Sequence, residues 1–442
     1  MINLEIKAQR PALIKGYDNE IYALVKASAE QVNRDVESLP LNLAIVIDRS
    51  GSMAGQPLEE AKKSAVFIVN KMRSIDRIAI VVYDNNANVV VPSQKVINKA
   101  SIIEMISSIH EGGATDLHSG WLAGAEEVAR NKSPKSLNRV LLLSDGNANA
   151  GETSSDVIST QCGKLAEEGI ITSTYGLGFG FNESLMINMA RTGLGQSYYG
   201  ETADDLLDPF QEEFDLLINT IAWNLKLSAE TPNFVDCSLV NKFKRTEETQ
   251  ECWHLSDLAE DGDAWALFKL KVRDPENGGQ KIEVLRCNLS FETKADGEVQ
   301  TQTVGPVKLI LDRLSPNAFN AIAEDEEVKR RVDELMVANL QERAREASLQ
   351  GDWNRVEQII MQGKKIAGDN EWLQNSLIEL EVYAKRRQRD EFSKEAFYSS
   401  DKMNRRLSSH LEMSSEAYDI SNELDKKAYL RRKLARGKRM SR

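Results

Sequence analysis

A chain of 442 residues that is 41% hydrophobic and 28% charged carries enough apolar material for two or three folded domains, which excludes a disordered or fibrous class. Its net charge of −12 argues against nucleic-acid binding by the surface as a whole, and no window reaches the apolar length of a membrane span. The four cysteines, Cys162, Cys237, Cys252 and Cys287, form no C-x-x-C pair, so zinc is a poor expectation; a disulfide within the 237–287 group stays open beside the blander state of reduced core thiols.

Residues 1–6 have neither a basic start nor a long apolar stretch. They do not read as a signal peptide, and a cytoplasmic location is expected. Residues 1–40 read as two strands. Ile2, Leu4 and Ile6 alternate with polar residues, and Tyr22-Ala23-Leu24-Val25 follows a turn at Gly16-Tyr17-Asp18-Asn19. Neither has an evident partner in the segment that follows, so both are expected to join a β-sandwich further along.

Residues 41–222 read as an α/β domain. Leu43-Ala44-Ile45-Val46-Ile47 has the continuous apolarity of a buried parallel strand and ends in Asp48-Arg49-Ser50-Gly51-Ser52. Pro57, Glu59 and Glu60 then open a helix. A strand at 77–83 turns at Asp84-Asn85-Asn86 into Val89-Val90-Val91, giving an antiparallel edge. Helices are expected near 99–110, 117–130, 155–168 and 183–192. Between the first two lies Gly112-Gly113-Ala114-Thr115-Asp116, a glycine-rich loop carrying a hydroxyl. Val140-Leu141-Leu142-Leu143 is a second buried run and ends in Ser144-Asp145-Gly146. Strands follow at 170–175 and 197–199, and Pro209 is expected to open a closing helix that reaches Ala222. Gly176-Leu177-Gly178-Phe179-Gly180 lacks the spacing of a dinucleotide loop, and no phosphate-binding G-x-x-x-x-G-K-[ST] occurs.

Strands of a parallel sheet end on one edge, which is where open α/β sheets place ligands, so Asp48 and Asp145 can meet there with the Thr115 loop between them. The hydroxyls and carboxylates are hard oxygens that suit Mg²⁺, Mn²⁺ or Ca²⁺. The bland alternative is that Asp48 caps a helix, that Ser50 and Ser52 fill a turn, and that Asp145-Gly146 is another turn.

The set Asp48, Ser50, Ser52, Thr115 and Asp145 resembles the metal-ion-dependent adhesion site of the von Willebrand factor A family, whose pattern is D-x-S-x-S, then T, then D. The resemblance implies a Rossmann-like, mixed but mainly parallel sheet flanked by helices. It implies an ion, Mg²⁺ or Mn²⁺/Ca²⁺, contacted by the three hydroxyls, with the two aspartates often acting through water. It also implies a protein partner that offers an Asp or Glu side chain to the metal.

Residues 223–312 change to short strands, such as Ala264-Trp265-Ala266-Leu267-Phe268 and Val307-Lys308-Leu309-Ile310-Leu311, separated by turn residues. They read as a β-sandwich. This layout resembles bacterial A-domain proteins similar to inter-alpha-trypsin-inhibitor heavy chains. Residues 313–442 read as helical: Val328, Val332, Leu335, Met336, Asn339 and Leu340 fall on one face, and Gly351-Asp352 breaks the helix. The tail carries nine Lys or Arg between Lys426 and Arg442 and no acidic residue.

The expected function is that of a non-enzymatic adaptor. By resemblance it works inside bacterial multi-protein systems with an AAA+ ATPase, kinase or phosphatase. Two alternatives stand beside it. A metal-dependent hydrolase would have only Asp116 and His118 as nearby acid–base candidates. Nucleic-acid tethering would act through the basic tail.

Overall fold

The computed structural model describes residues 2–29, 39–177, 182–200, 213–214, 216–246, 251–275, 278–295 and 298–405. The chain forms two compact units. One takes the described residues up to 29, from 221 to 295 and from 300 to 405; the other takes those from 39 to 220 together with 298 and 299.

Three strands open the chain: β1 (Ile2–Ala8), β2 (Ala12–Ile14) and β3 (Asn19–Ala29). β1 and β3 pair antiparallel, Ile2 opposite Ala29 through Ala8 opposite Ala23.

The α/β unit follows as β4 (Leu41–Asp48), α1 (Gln56–Lys71), β5 (Arg77–Tyr83), β6 (Ala87–Lys95), α2 (Lys99–Ser107), α3 (Leu117–Arg130), β7 (Leu137–Ser144), α4 (Ser155–Glu167), β8 (Ile170–Leu177), α5 (Glu183–Thr192) and β9 (Leu194–Gly200). The six strands lie in the order β6-β5-β4-β7-β8-β9. The pairings are parallel except for the edge strand β6, which returns antiparallel from β5 through the turn at Asp84-Asn85-Asn86. Every residue of β4 and β7 is buried, as expected of central strands covered on both faces, and this is why both read as unbroken apolar runs. Helix α3 lies close against the sheet. A Cβ on Gly124 would stand 2.3 Å from a Val46 methyl carbon, and Trp121 is fully buried with its indole N–H donating to Thr172 Oγ1 at 3.0 Å. The closing helix differs from expectation. Its helical residues 216–218 stop short of Ala222 because Thr220 already begins the next strand, and its start at Pro209 lies outside the described residues.

The second unit continues with β10 (Thr220–Glu230), β11 (Val235–Leu239), β12 (Cys252–His254), β13 (Leu258–Ala259), β14 (Asp263–Val272), β15 (Lys281–Ala295) and β16 (Glu298–Leu314). One sheet runs β1-β3-β14-β11. The other runs β12-β10-β15-β16-β2, with β13 beside β10. Leu4, Val25 and Phe268 from the first and Leu227, Leu289 and Leu311 from the second share one core. β1 and β3 thus occupy the first sheet, and β2 pairs in parallel with the end of β16. All four cysteines are free, Cys162 and Cys287 deeply buried.

Five helices complete this unit: α6 (Pro316–Asn320), α7 (Glu326–Leu349), α8 (Trp353–Ala367), α9 (Glu371–Lys385) and α10 (Arg389–Arg405). Val328, Val332 and Leu335 of α7 pack on Leu24, Trp265 and Leu267 of the first sheet, and the Arg331 guanidinium lies over the Trp265 ring at 4.5 Å. Of the face the spacing suggests, Val328, Val332, Leu335 and Leu340 are buried and two residues are not. Met336 and Asn339 are exposed, while Val337 and Ala338 share a core with Ala367, Leu373, Leu377 and Met403, because α7 is covered by the helices that follow it, chiefly α8 and α10, as well as by the sheet. Among the described residues no helix is long and apolar enough to cross a membrane. The basic stretch from Lys426 to Arg442 lies outside the described residues.

Candidate functional site

Strand register assembles the floor of the site. Asp48 ends β4 directly beside Tyr83 at the end of β5. On the other flank Ile47 pairs with Leu143, which brings Ser144 beside Asp48. Residues level with one another in a parallel sheet point to the same face, so Tyr83, Asp48 and Ser144 form a row across three strands. They are hydrogen-bonded accordingly. The Tyr83 hydroxyl lies 3.0 Å from Asp48 Oδ2 and 2.8 Å from Ser144 Oγ, and Ser144 Oγ donates to Asp48 Oδ2 at 2.7 Å. The other carboxylate oxygen, Asp48 Oδ1, accepts from the Ser50 N–H at 2.9 Å. That bond folds the chain back over the strand end. It also shows that Asp48 is not a helix cap: α1 is capped by Gly55, whose φ of +77° suits glycine.

The turn then presents two hydroxyls. Ser50 Oγ and Ser52 Oγ are 3.2 Å apart, Ser50 buried and Ser52 exposed. The Thr115 loop is tied to this turn by backbone bonds from Gly112 N to Arg49 O at 2.7 Å and from Gly51 N to Gly113 O at 2.9 Å. Thr115 itself is buried, and its N–H donates to Asn149 Oδ1 at 2.9 Å. Asp145 follows the end of β7 and is buried, with Oδ1 accepting from Asn147 N at 3.0 Å. The structure therefore gathers Asp48, Ser50 and Ser52 by direct contacts. Thr115 joins through its loop, and Asp145 through its place one residue beyond the Ser144 row.

The electrostatics are unbalanced. Burial pushes the Asp48 carboxyl above its ordinary pKa; the hydrogen bonds from Ser50 and Ser144 oppose this, and the charge of Asp145 adds to it. Among the described residues neither carboxylate has an ion-pair partner. The nearest basic residue in sequence, Arg49, is bound to Asp84 at 2.8 Å. Two acidic groups facing neutral hydroxyls fit a hard dication. Octahedral ligands about 2.1 Å from an ion lie about 3 Å apart along each edge. The Ser50–Ser52 separation of 3.2 Å is close to such an edge. No cluster of three or more His, Cys, Asp or Glu that could hold a metal occurs among the described residues, so any ion seat here depends on hydroxyls.

Asp116 and His118 are engaged elsewhere. Asp116 caps α3, accepting from Ser119 N at 3.0 Å and from Ser119 Oγ at 2.7 Å. His118 Nε2 is 2.5 Å from Gln161 Oε1 on α4. Sequence reasoning missed Tyr83, Ser144, Asn85 and Asn149. A tyrosine closing the strand next to the motif strand was the available signal for the first, and the residue before Asp145 for the second.

An α/β domain with a polar cluster at the carboxyl edge of its central strands, where the sheet order switches direction around β4, is a ligand-binding class of fold. The profile of the von Willebrand factor type A domain matches residues 42–212. The chain is 32% identical over 213 residues to the uncharacterized protein sll0103 of Synechocystis, covering 47% of this chain and 48% of that one. It is 23% identical over 313 residues to inter alpha-trypsin inhibitor, heavy chain 4, of Mus musculus, covering 67% of this chain and 31% of that one. The chain thus matches about half or less of the length of these relatives. The structure of a von Willebrand factor type A protein from Catenulispora acidiphila superposes with a TM-score of 0.68 at 16% identity, covering 85% of this chain and 89% of the other, a likeness of fold. The chain carries a von Willebrand factor type A domain, with relatives among bacterial proteins and inter-alpha-trypsin-inhibitor heavy chains. Such domains commonly mediate protein–protein interaction and often bind a divalent metal.

Proposed function

We propose that this protein is a non-enzymatic, metal-dependent protein-binding adaptor. Its ion is Mg²⁺, with Mn²⁺ or Ca²⁺ as substitutes. Ser50, Ser52 and Thr115 hold the ion directly, and Asp48 and Asp145 stand behind them. The ion supplies a positive charge with a replaceable water, onto which an Asp or Glu side chain of a partner protein docks. The observation that carries this reading is the uncompensated pair of buried carboxylates, Asp48 and Asp145, beside two hydroxyl oxygens at an octahedral spacing.

The chain's own residues do the orienting. The Tyr83–Asp48–Ser144 row fixes one oxygen of Asp48, and the Ser50 N–H fixes the other, so the carboxylate cannot rotate away. Neutral hydroxyls leave most of the ion's charge available to an incoming carboxylate. Hydrolysis is not favoured, since Asp116 and His118, the acid–base candidates, are held by Ser119 and Gln161. By family resemblance we place the adaptor in an intracellular bacterial assembly with an AAA+ ATPase, kinase or phosphatase.

Affinity capture with the full chain tests the reading. Partners from the source organism should be retained in Mg²⁺, released by excess chelator, and lost with Ser52→Ala. Retention that is indifferent to chelator and to the substitution would overturn it.

A further inference from the structure

Thr115 stands on the one arm of the site that no strand end holds. Its loop opens with Gly112-Gly113, whose backbone freedom makes ordering costly. Two side-chain amides from different loops fix it. Ala114 N–H donates to Asn85 Oδ1, from the turn between β5 and β6. Thr115 N–H donates to Asn149 Oδ1, from the loop after β7, at 2.9 Å. The grip of Asn149 is double, because its own N–H returns to Thr115 O at 3.1 Å. Asn85 also explains a glycine: a Cβ on Gly113 would stand 2.5 Å from Asn85 Oδ1 and would displace it. Asp116 N–H to Asp84 O at 2.8 Å completes the series, so three consecutive backbone donors are bound by neighbouring loops.

We infer that Asn85 and Asn149 are positioning residues that set the affinity of the site for its divalent ion by holding Thr115 in place before the ion arrives. The inference rests on the metal reading above. Neither asparagine belongs to the five-residue motif. A loop already ordered adds its oxygen without further loss of freedom; once a clamp is removed, the ordering cost falls on ion binding.

Titrating the full chain with Mn²⁺, with free ion followed by electron paramagnetic resonance, tests this. Asn85→Ala and Asn149→Ala should each weaken Mn²⁺ binding about 10-fold, the lower end of what lost supporting contacts cost a metal site. Both side chains are exposed, so metal-free thermal midpoints should stay within about 2 °C of wild type. Asn85→Asp and Asn149→Asp keep an oxygen acceptor and should restore most of the affinity, measured in about 0.5 M KCl to screen the added charge. Wild-type affinity in both alanine variants, or aspartates as weak as the alanines, overturns the inference and leaves the metal reading standing. A wild-type chain that takes up no Mn²⁺ overturns the metal reading, and this inference with it.

Discussion

Removing the hydroxyl of Ser52 separates the metal reading from a merely structural turn. Ser52 is exposed, and among the described residues its Oγ is hydrogen-bonded to Ser50 Oγ alone, at 3.2 Å. Truncation to alanine should change metal-free stability by no more than about 0.5 kcal/mol, the usual range for a surface substitution. Ion binding contributes differently. At a concentration 100 times its dissociation constant an ion adds about 2.7 kcal/mol to the folded state. For a domain of this size, at about 2–4 °C per kcal/mol, that moves the midpoint by about 5–11 °C. If losing one of three protein oxygens weakens binding about 100-fold, the same Mg²⁺ concentration contributes only about 0.4 kcal/mol, or about 1–2 °C. Calorimetry of the full chain in chelator, in Mg²⁺ and in KCl of equal ionic strength reads this directly. Wild type should show one transition that rises with Mg²⁺ and not with KCl, and Ser52→Ala should stay within about 2 °C of the metal-free trace in Mg²⁺ and match it in KCl. An equal Mg²⁺ shift in the two proteins would place the ion elsewhere, and no shift in wild type would deny the seat altogether.

Tyr83→Phe removes the hydroxyl that lies between Asp48 and Ser144. Ser144 still donates to Asp48, so isothermal titration should show Mg²⁺ affinity lowered about 10-fold and not abolished, with about 1 kcal/mol of metal-free stability lost. The other unit carries a pH dependence. Glu327 lies 2.7 Å from Lys7 and 2.6 Å from Lys26. Burial pushes its carboxyl up, but the two lysine hydrogen bonds outweigh burial and hold it at about 2, below its ordinary 4.5. A depressed carboxyl stabilises the fold above about pH 4.5 and loses that contribution as pH falls toward 2. The gap converts to about 3 kcal/mol at 1.36 kcal/mol per pH unit, and partial exposure of the lysines reduces it to about 1–2. Denaturant unfolding of Glu327→Gln should therefore fall short of wild type by that amount between pH 5 and 7, with the two curves converging near pH 2; a constant gap across that range would refute the assignment.

How much of this was legible in the sequence depended on how local the signal was. The runs at 43–47 and 140–143 announced central strands because helices bury both their faces, and the Asp84-Asn85-Asn86 turn announced the antiparallel edge. Tyr83 and Ser144 were hidden because their role comes from register between strands distant in sequence, which no spacing along the chain reports. Asn85 and Asn149 were hidden for the same reason, since each acts on a backbone N–H about 30 residues away. Met336 departs from the expected face because a helix packed on more than one side has no single apolar stripe; Val337 and Ala338, one and two positions on, are buried among the following helices instead. The closing helix was drawn too long because Ile221 and Ala222 continue its apolar pattern, although Thr220 starts the sheet ladder that pairs Ala222 with Thr293.

The choice of oxygens at the strand ends favours capture over catalysis on grounds of charge alone. A seat of several coordinating carboxylates would neutralise a dication and leave it no appetite for another anion. Here the nearest oxygens are those of serines, and the two aspartates are tethered: Asp48 by Tyr83, Ser144 and the Ser50 amide, Asp145 by the Asn147 amide. With an ion bound as proposed, their negative charge would offset the ion's from behind without taking every position around it. On the proposed reading the residual positive charge would face outward at Ser52, the exposed member of the set, where an acidic side chain could reach it. Hydrolysis would further require a free base aimed at an ion-bound water, and the two side chains that could supply one are fixed to Ser119 and Gln161.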